Sequence, residues 1–302
     1  MRSMPSLRHH LDLGEFVLKD GPHPERARLD AELLLTHTLK KSRAWLLAHG
    51  DELLSDELFL RYTELLERRR LGEPIQYITG ESEFFGLSFR VMPDVLIPRP
   101  ETEHLVEKVI ELAARFEQSR IVDVGTGSGA IAVALAHKLS HAFITATEIS
   151  SRALTIAEEN AKHNGTSIRF LQGDLLAPVA DERFEIVVSN PPYVPSGDRA
   201  TLSVEVREYE PALALFAGDD GLNVIRRLIP AAFGALTPGG YVALEIGYGQ
   251  STVITDLLAR AGFDQIELVP DLQGIPRVAC ARRPWISPHL TRQAVLSGAC
   301  GG

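Results

Sequence analysis

Two short runs of this 302-residue chain hold residue types with chemistry to offer. The first is Asp123-Val-Gly125-Thr126-Gly127-Ser128-Gly129-Ala130, which follows an apolar run, RIVDV (120–124), and opens a helical pattern. Glycines let backbone approach a ligand closely, and a helix N-terminus offers N–H groups that have no partner inside the helix. Glu148 stands directly after the next apolar run, AFITAT (142–147). A carboxylate at that place can accept hydrogen bonds from both hydroxyls of a ribose. Gly125-x-Gly127-x-x-Ala130 also satisfies the dinucleotide fingerprint, so this pair leaves a nicotinamide enzyme and an S-adenosylmethionine enzyme both open.

The second run is Ser189-Asn190-Pro191-Pro192-Tyr193, at the carboxyl end of FEIVVS (184–189). Ligands of open α/β sheets bind at that edge. Two prolines fix the loop and remove two N–H donors, which leaves carbonyls there to accept. Asn190 adds a side-chain oxygen acceptor and Tyr193 a flat apolar face. Such a pocket suits a planar –NH₂ group. The lone pair of an amide or exocyclic amine is delocalised, so the nitrogen is a poor nucleophile. Two acceptors on its hydrogens favour pyramidal character, an effect felt most in the transition state. Placement in line with a sulfonium methyl supplies much of the remaining acceleration. The product sheds its proton easily, so no general base is needed before attack.

These runs need a scaffold. After Thr102 the pattern predicts strands at 120–124, 142–147, 167–171, 184–189, 241–246, 264–269 and 277–281. Helices are predicted at 103–116, 129–139, 151–163, 220–236 and 250–261. The strands are nearly continuous apolar runs, as expected when both faces of a parallel sheet are covered. The final strands have no clear helix between them, which predicts an antiparallel entry. Pro230 should bend or split its helix.

Residues 1–73 read as a small all-helical domain. The 26–39 segment sets Leu29, Leu33, Leu34 and Leu39 near one face, and 55–70 does the same with Leu58, Leu65 and Leu66. Ser55 suits a capped start, and Arg68-Arg69-Arg70 reads as a solvated helix end. From Pro74 the period changes to alternation, with aromatic and β-branched residues broken by Gly80 and Gly86, so 74–101 is expected as a β-hairpin connector. The fold class is therefore α/β: a seven-stranded, mostly parallel, Rossmann-like sheet over 102–284, preceded by the helical domain and the connector. Residues 285–302 carry no amphipathic pattern and read as a loose tail.

Composition narrows the function classes. Hydrophobic residues make up 45% and charged residues 24%, the average of a soluble globular chain. No apolar stretch approaches a membrane span, and no signal peptide is read. The net charge of −9 argues against a protein held to nucleic acid mainly through phosphates. The two cysteines, Cys280 and Cys300, form no CxxC, and the histidines show no metal-binding spacing. A reducing compartment fits, Cys280 reads as a buried small hydrophobe, and no metal is expected.

Further stretches join the two runs: Gly72 to Glu81 (GEPIQYITGE), Val95 to Val106 (VLIPRPETEHLV), Glu205 to Leu215 (EVREYEPALAL), Gly218-Asp-Asp-Gly-Leu222, Pro238-Gly-Gly240 and Leu272 to Arg277 (LQGIPR). With GTGSGAIAVALA and NPPY, the set resembles the class I S-adenosylmethionine-dependent amino-methyltransferases. Within them it is similar to the peptide chain release factor glutamine-N5 methyltransferases, known as PrmC or HemK. The resemblance implies S-adenosylmethionine as cofactor, with Gly125, Thr126, Gly127, Ser128 and Gly129 around its methionine and ribose. Glu148 would hold the ribose, where the family usually has Asp. Leu175 would lie beside the adenine, by dispersion where some relatives carry Trp. Asn190, Pro191, Pro192 and Tyr193 would hold the substrate amide, with Asn190, Pro191 and Tyr193 catalytic and Asn190 also near the cofactor.

The implied activity is methylation of the glutamine in the Gly-Gly-Gln tripeptide of class I release factors, docked in part by the N-terminal helices. The resemblance also favours a substrate-facing role for Glu205, Arg207, Glu208 and Glu210 in a long loop. A cytoplasmic monomer with neither nucleic acid nor membrane as partner is expected. The rival is a DNA or RNA amino-methyltransferase of the adenine-N6 type, which would use the same NPPY pocket on another planar amine; the net charge weighs against it.

Overall fold

The change of apolar period along the chain is realised as two structural units. The computed structural model describes residues 5–285. In chain order its first elements are α1 (Leu7–Leu18), α2 (Ala27–Leu39), α3 (Arg43–Ala48), α4 (Asp56–Arg70), α5 (Ile75–Thr79), β1 (Glu81–Phe84), β2 (Leu87–Arg90), α6 (Thr102–Ala113), β3 (Arg120–Val124), α7 (Ala130–Lys138) and β4 (Phe143–Glu148). There follow α8 (Ser151–His163), β5 (Arg169–Gln172), β6 (Phe184–Ser189), α9 (Val204–Tyr209), α10 (Ala212–Leu215), α11 (Asn223–Ala235), β7 (Leu236–Glu245), α12 (Ser251–Arg260), β8 (Asp264–Pro270) and β9 (Pro276–Arg282). The tail expected over 285–302 lies, beyond Trp285, outside the described residues.

The helical unit gathers residues 5–82 together with 91–97 and 199–212. Serine hydroxyls at its helix starts satisfy amide groups that the first turn leaves unpaired: Ser42 accepts from Trp45 N at 3.2 Å and Ser55 from Leu58 N at 3.4 Å. Leu7, Leu34, Leu35, Leu46, Tyr62 and Leu66 fill its core. Three expectations change here. Leu29 and Leu33 are exposed, because the buried stripe of α2 runs instead through Ala27, Ala31, Leu34, Leu35 and Thr38. Ile75–Thr79 is a helical turn rather than the start of a hairpin: Pro74 fixes its entry, and Ile75, Tyr77 and Ile78 are buried. Only β1 and β2 form the two-stranded ribbon.

The third change concerns the arginine run. Arg68 and Arg70 pair with Glu73 and Glu67 near the surface, but Arg69 is only 3% exposed. Its Nε donates to Asp30 Oδ2 at 2.7 Å, and its Nη1 donates to the Glu73 carbonyl at 3.0 Å and to Glu205. Glu205 sits on α9, so the expected long charged loop is broken up by short helices, and its first acid is turned onto α4. Tyr209 Oη adds a bond to the Leu71 carbonyl at 3.3 Å.

Among the described residues, the sheet unit comprises 83–90, 98–198 and 213–285. Its seven strands lie in the order β5-β4-β3-β6-β7-β9-β8. β3 to β7 are mutually parallel, whereas β9 runs antiparallel between β7 and β8. This matches the expected late antiparallel entry: without a crossover helix between β8 and β9 the chain cannot return parallel. Side chains alternate across the sheet. Ile121, Ile186 and Val188 pack with Leu105 of α6 and Ile131 of α7; Val122 and Val187 pack with Ile225 of α11 and Ile254 of α12. Helix α11 runs on through Pro230 without being split.

From β3 the chain winds outward to β5, then jumps back across β3 to lay down β6. The switch of direction opens a crevice at the carboxyl ends of β3 and β6, the place where such sheets bind ligands. The glycine loop follows one of these strands and the Asn-Pro-Pro-Tyr run the other.

Candidate active site

The glycine loop is anchored by the neighbouring strand. Gly125 N and Thr126 N both donate to the Thr147 carbonyl, at 2.8 and 3.1 Å. Gly125 and Gly127 have φ of 72° and 57°, and a Cβ at either would point into open space. Room is thus left on the ligand side, and a side chain would fill it. Thr126 and Ser128 are buried, and Asn160 Nδ2 holds the Ser128 carbonyl at 2.8 Å.

Two carboxylates lie beneath the loop. Glu148, at the end of β4, accepts from Gly127 N through Oε2 and from Ser150 N through Oε1, both at 2.9 Å. Each of its oxygens keeps a further lone pair for a ligand hydroxyl. Asp123 is fully buried; Thr126 Oγ1 donates to its Oδ2 at 2.6 Å, and Oδ1 has no hydrogen-bond partner. Burial pushes its carboxyl up to about 7, against the pull of the Thr126 hydroxyl and with the Glu148 charge adding to the rise. Its contribution to stability is therefore full at low pH and is lost as pH climbs through that value. An orphan buried acceptor and an open glycine cradle fit a ligand that brings N–H donors and positive charge, as S-adenosylmethionine does.

Leu175, beyond β5, has φ of 49°, a conformation that costs a non-glycine residue roughly 1–2 kcal/mol. It packs against the core beneath β3 and β6. The strand order therefore sets Leu175, Glu148, the glycine loop and Asn190 in one line along the carboxyl edge, after β5, β4, β3 and β6 respectively.

On the far side of that line the loop after β6 is tied down at several points. Ser189 Oγ donates to the Val124 carbonyl at 2.6 Å, joining it to the end of β3. Gln250 Nε2 donates to the Tyr193 carbonyl at 3.0 Å, while its Oε1 accepts from Gly247 N at 2.9 Å. Gly221 explains one glycine of the Gly218-Asp-Asp-Gly-Leu222 run: a Cβ there would stand 2.2 Å from the Tyr193 carbonyl oxygen. Pro191 is buried, and Asn190, Pro192 and Tyr193 are partly accessible.

The sequence reading missed the group around which this loop is organised. Glu245, the last residue of β7, is 2% exposed. Thr102 Oγ1 donates to its Oε2 at 2.6 Å and Tyr193 Oη to its Oε1 at 3.2 Å. Asn190 Nδ2 in turn donates to Thr102 Oγ1 at 3.1 Å. Burial pushes the Glu245 carboxyl up, opposed by hydrogen bonds from Thr102 and Tyr193; burial likewise raises the Tyr193 phenol. One signal was available: a carboxylate inside the apolar run YVALEI is costly to bury unless it is satisfied and used. Among the described residues no cluster of His, Cys, Asp and Glu could hold a metal, and no helix is long and apolar enough to cross a membrane. Cys280 is buried, and burial pushes its thiol up to about 12.

Residues 11–80 match the PrmC N-terminal domain family and residues 101–207 the methyltransferase small domain family. The release factor glutamine methyltransferase of Koribacter versatilis is 43% identical over 266 residues, which cover 88% of this chain and 93% of the relative. That of Moorella thermoacetica is 45% identical over 86% of this chain and 92% of its own. Among solved structures, the hMettl16 catalytic domain in complex with the MAT2A 3'UTR hairpin 1 aligns with TM-score 0.55 at 19% identity, over 80% of this chain and 85% of that one. The likeness to that structure concerns the fold alone.

Proposed function

Because the chain belongs to the release factor glutamine methyltransferase family, we propose that its sheet edge methylates the side-chain amide nitrogen of the glutamine in the Gly-Gly-Gln tripeptide of class I release factors. The observation that carries this reading is the Asn-Pro-Pro-Tyr loop beside the glycine cradle at the β3/β6 crevice, with the amide of Asn190 held at its nitrogen by Thr102. That hold turns Asn190 Oδ1 away from Thr102, free to accept from a substrate –NH₂.

When bound, S-adenosylmethionine supplies the methyl on a sulfonium that leaves as a neutral thioether. Gly125 to Gly129 and Glu148 would hold it, with Asp123 beneath the loop and Leu175 beside its adenine. The remaining work is positioning. Asn190 Oδ1 and a backbone carbonyl of the Pro191-Pro192 loop accept from the two amide hydrogens, and the Tyr193 ring supports the plane of the amide. Both acceptors strengthen as positive charge develops on nitrogen, so they favour the transition state over the ground state. The nitrogen gains the methyl and then releases one proton to water. The N-terminal helices would dock the release factor. The net charge of −9 supports a protein substrate over a polyphosphate one, taken by a monomer in the cytoplasm, where release factors act.

The test uses labelled S-adenosylmethionine with a release factor, its Gln→Ala tripeptide variant, or duplex DNA. Label should enter only the first. Equal label in the Gln→Ala variant, or label in DNA, would overturn the assignment. A second expectation concerns the cofactor half. Glu148→Ala removes a charged acceptor and the brace on Gly127, so S-adenosylmethionine affinity should fall by about 1.5–3 kcal/mol, or roughly 10- to 150-fold. Turnover at saturating cofactor should change far less. Calorimetric titration together with saturating-cofactor kinetics separates the two, and an unchanged affinity would remove Glu148 from the cofactor site.

A further inference from the structure

An asparagine amide can face either way round in a pocket of given shape, and only one orientation serves the reaction. Reversed, Asn190 would offer hydrogens to a substrate –NH₂ that itself has only hydrogens to give. Something must therefore set the polarity of this side chain, and the residues behind it do so. The Asn190 nitrogen faces Thr102 Oγ1 at 3.1 Å. A threonine hydroxyl has a single hydrogen, and here it is committed: Oγ1 lies 2.6 Å from Glu245 Oε2. Both Glu245 oxygens act as acceptors here, Oε2 from Thr102 and Oε1 from Tyr193. With its hydrogen spent on Glu245, the Thr102 oxygen can only accept from Asn190, which fixes the –NH₂ end inward and Oδ1 outward.

Two details strengthen the chain of donors. The other Glu245 oxygen receives the Tyr193 hydroxyl at 3.2 Å, so one buried acid governs both side chains of the loop that carry hydrogen-bonding groups. Thr102 and Glu245 come from the first residue of α6 and the last of β7, regular elements that pack on each other rather than on mobile loops. Placement on rigid elements is what a group needs in order to set another's geometry.

We infer that Thr102 and Glu245 are positioning residues that fix the polarity of the Asn190 amide, so that its Oδ1 is presented to the substrate –NH₂. This rests on the role given above to Asn190 and adds the device that makes the role possible. Glu245→Gln keeps shape but can give Thr102 a hydrogen, which frees the hydroxyl to donate to Asn190 Oδ1 and turn the amide. Thr102→Val keeps shape and removes the relay, whereas Thr102→Ser retains it.

The experiment measures kcat, KM for a release factor and S-adenosylmethionine affinity for the full-length variants. Glu245→Gln and Thr102→Val should each lower kcat by about ten-fold or more while cofactor affinity moves less than about three-fold, and Thr102→Ser should recover most of the loss. In an Asn190→Ala background, Thr102→Val should cost nothing further, because residues acting through one group are not additive. Thr102→Val with near-normal kcat, or with the same loss whether or not Asn190 is present, overturns the inference. If Thr102→Val lost cofactor binding through misfolding, the isosteric Glu245→Gln would decide on the same readouts. Asn190→Ala with unchanged turnover would instead defeat the role of Asn190 itself, an outcome distinct from an active Thr102→Val beside an inactive Asn190→Ala.

Discussion

Replacing Asn190 by alanine is expected to lower kcat roughly 30- to 1000-fold, the equivalent of about 2–4 kcal/mol of transition-state stabilisation. The side chain is joined to Thr102, not to the glycine cradle, so its removal should leave cofactor affinity near normal. The loss should fall mainly on kcat rather than on KM, because the Asn190 oxygen gains most as the attacking nitrogen becomes positive. Single-turnover rates with a saturating release factor, set beside a cofactor titration, check both halves of the statement. Collapse of cofactor binding with normal turnover per bound cofactor would show that Asn190 belongs to the other half of the site.

The second large effect is on stability. Arg69→Ala should destabilise the helical unit by up to about 3–5 kcal/mol, because buried Asp30 then keeps only Arg26, 3.8 Å away, as counter-charge and Glu205 keeps only His23. Arg70→Ala, one residue along the same run, removes only a surface pair with Glu67 and should leave stability nearly unchanged. Denaturant midpoints for the two variants make the comparison directly. Equal losses would mean that the Arg69 network contributes no more than a surface pair does.

The contrast between these two arginines shows where reading a sequence stops. The alternation of apolar runs and helical patterns was enough to place six strands of the main sheet within two residues and the second half of β7, since each run is local and its period marks its type. The glycine loop and Asn190 to Tyr193 were legible for the same reason: each is one contiguous stretch at a strand end. Arg69 was not legible, because what buries it is Asp30 on α2 and Glu205 on α9, and no local pattern relates the three. Thr102 and Glu245 escaped likewise. Their bond spans 143 positions of sequence, and Glu245 closes a strand whose other residues are apolar. Leu29 and Leu33 failed differently: α2 has leucine on more than one side, so the choice of inward face was made by its neighbours rather than by its own spacing.

Because the helical unit is stitched from an N-terminal stretch, the 91–97 segment and the 199–212 excursion, it is not a module that begins and ends at single points. Glu205 and Tyr209 reach Arg69 and Leu71 from the segment that follows the Asn-Pro-Pro-Tyr loop. Exchanging the N-terminal helices between relatives would therefore separate an arginine from its acid unless 199–212 travelled with them. Changes at α2, α4 and α9 are thus coupled: altering Asp30, Arg69 or Glu205 alone disturbs the pairing of the other two.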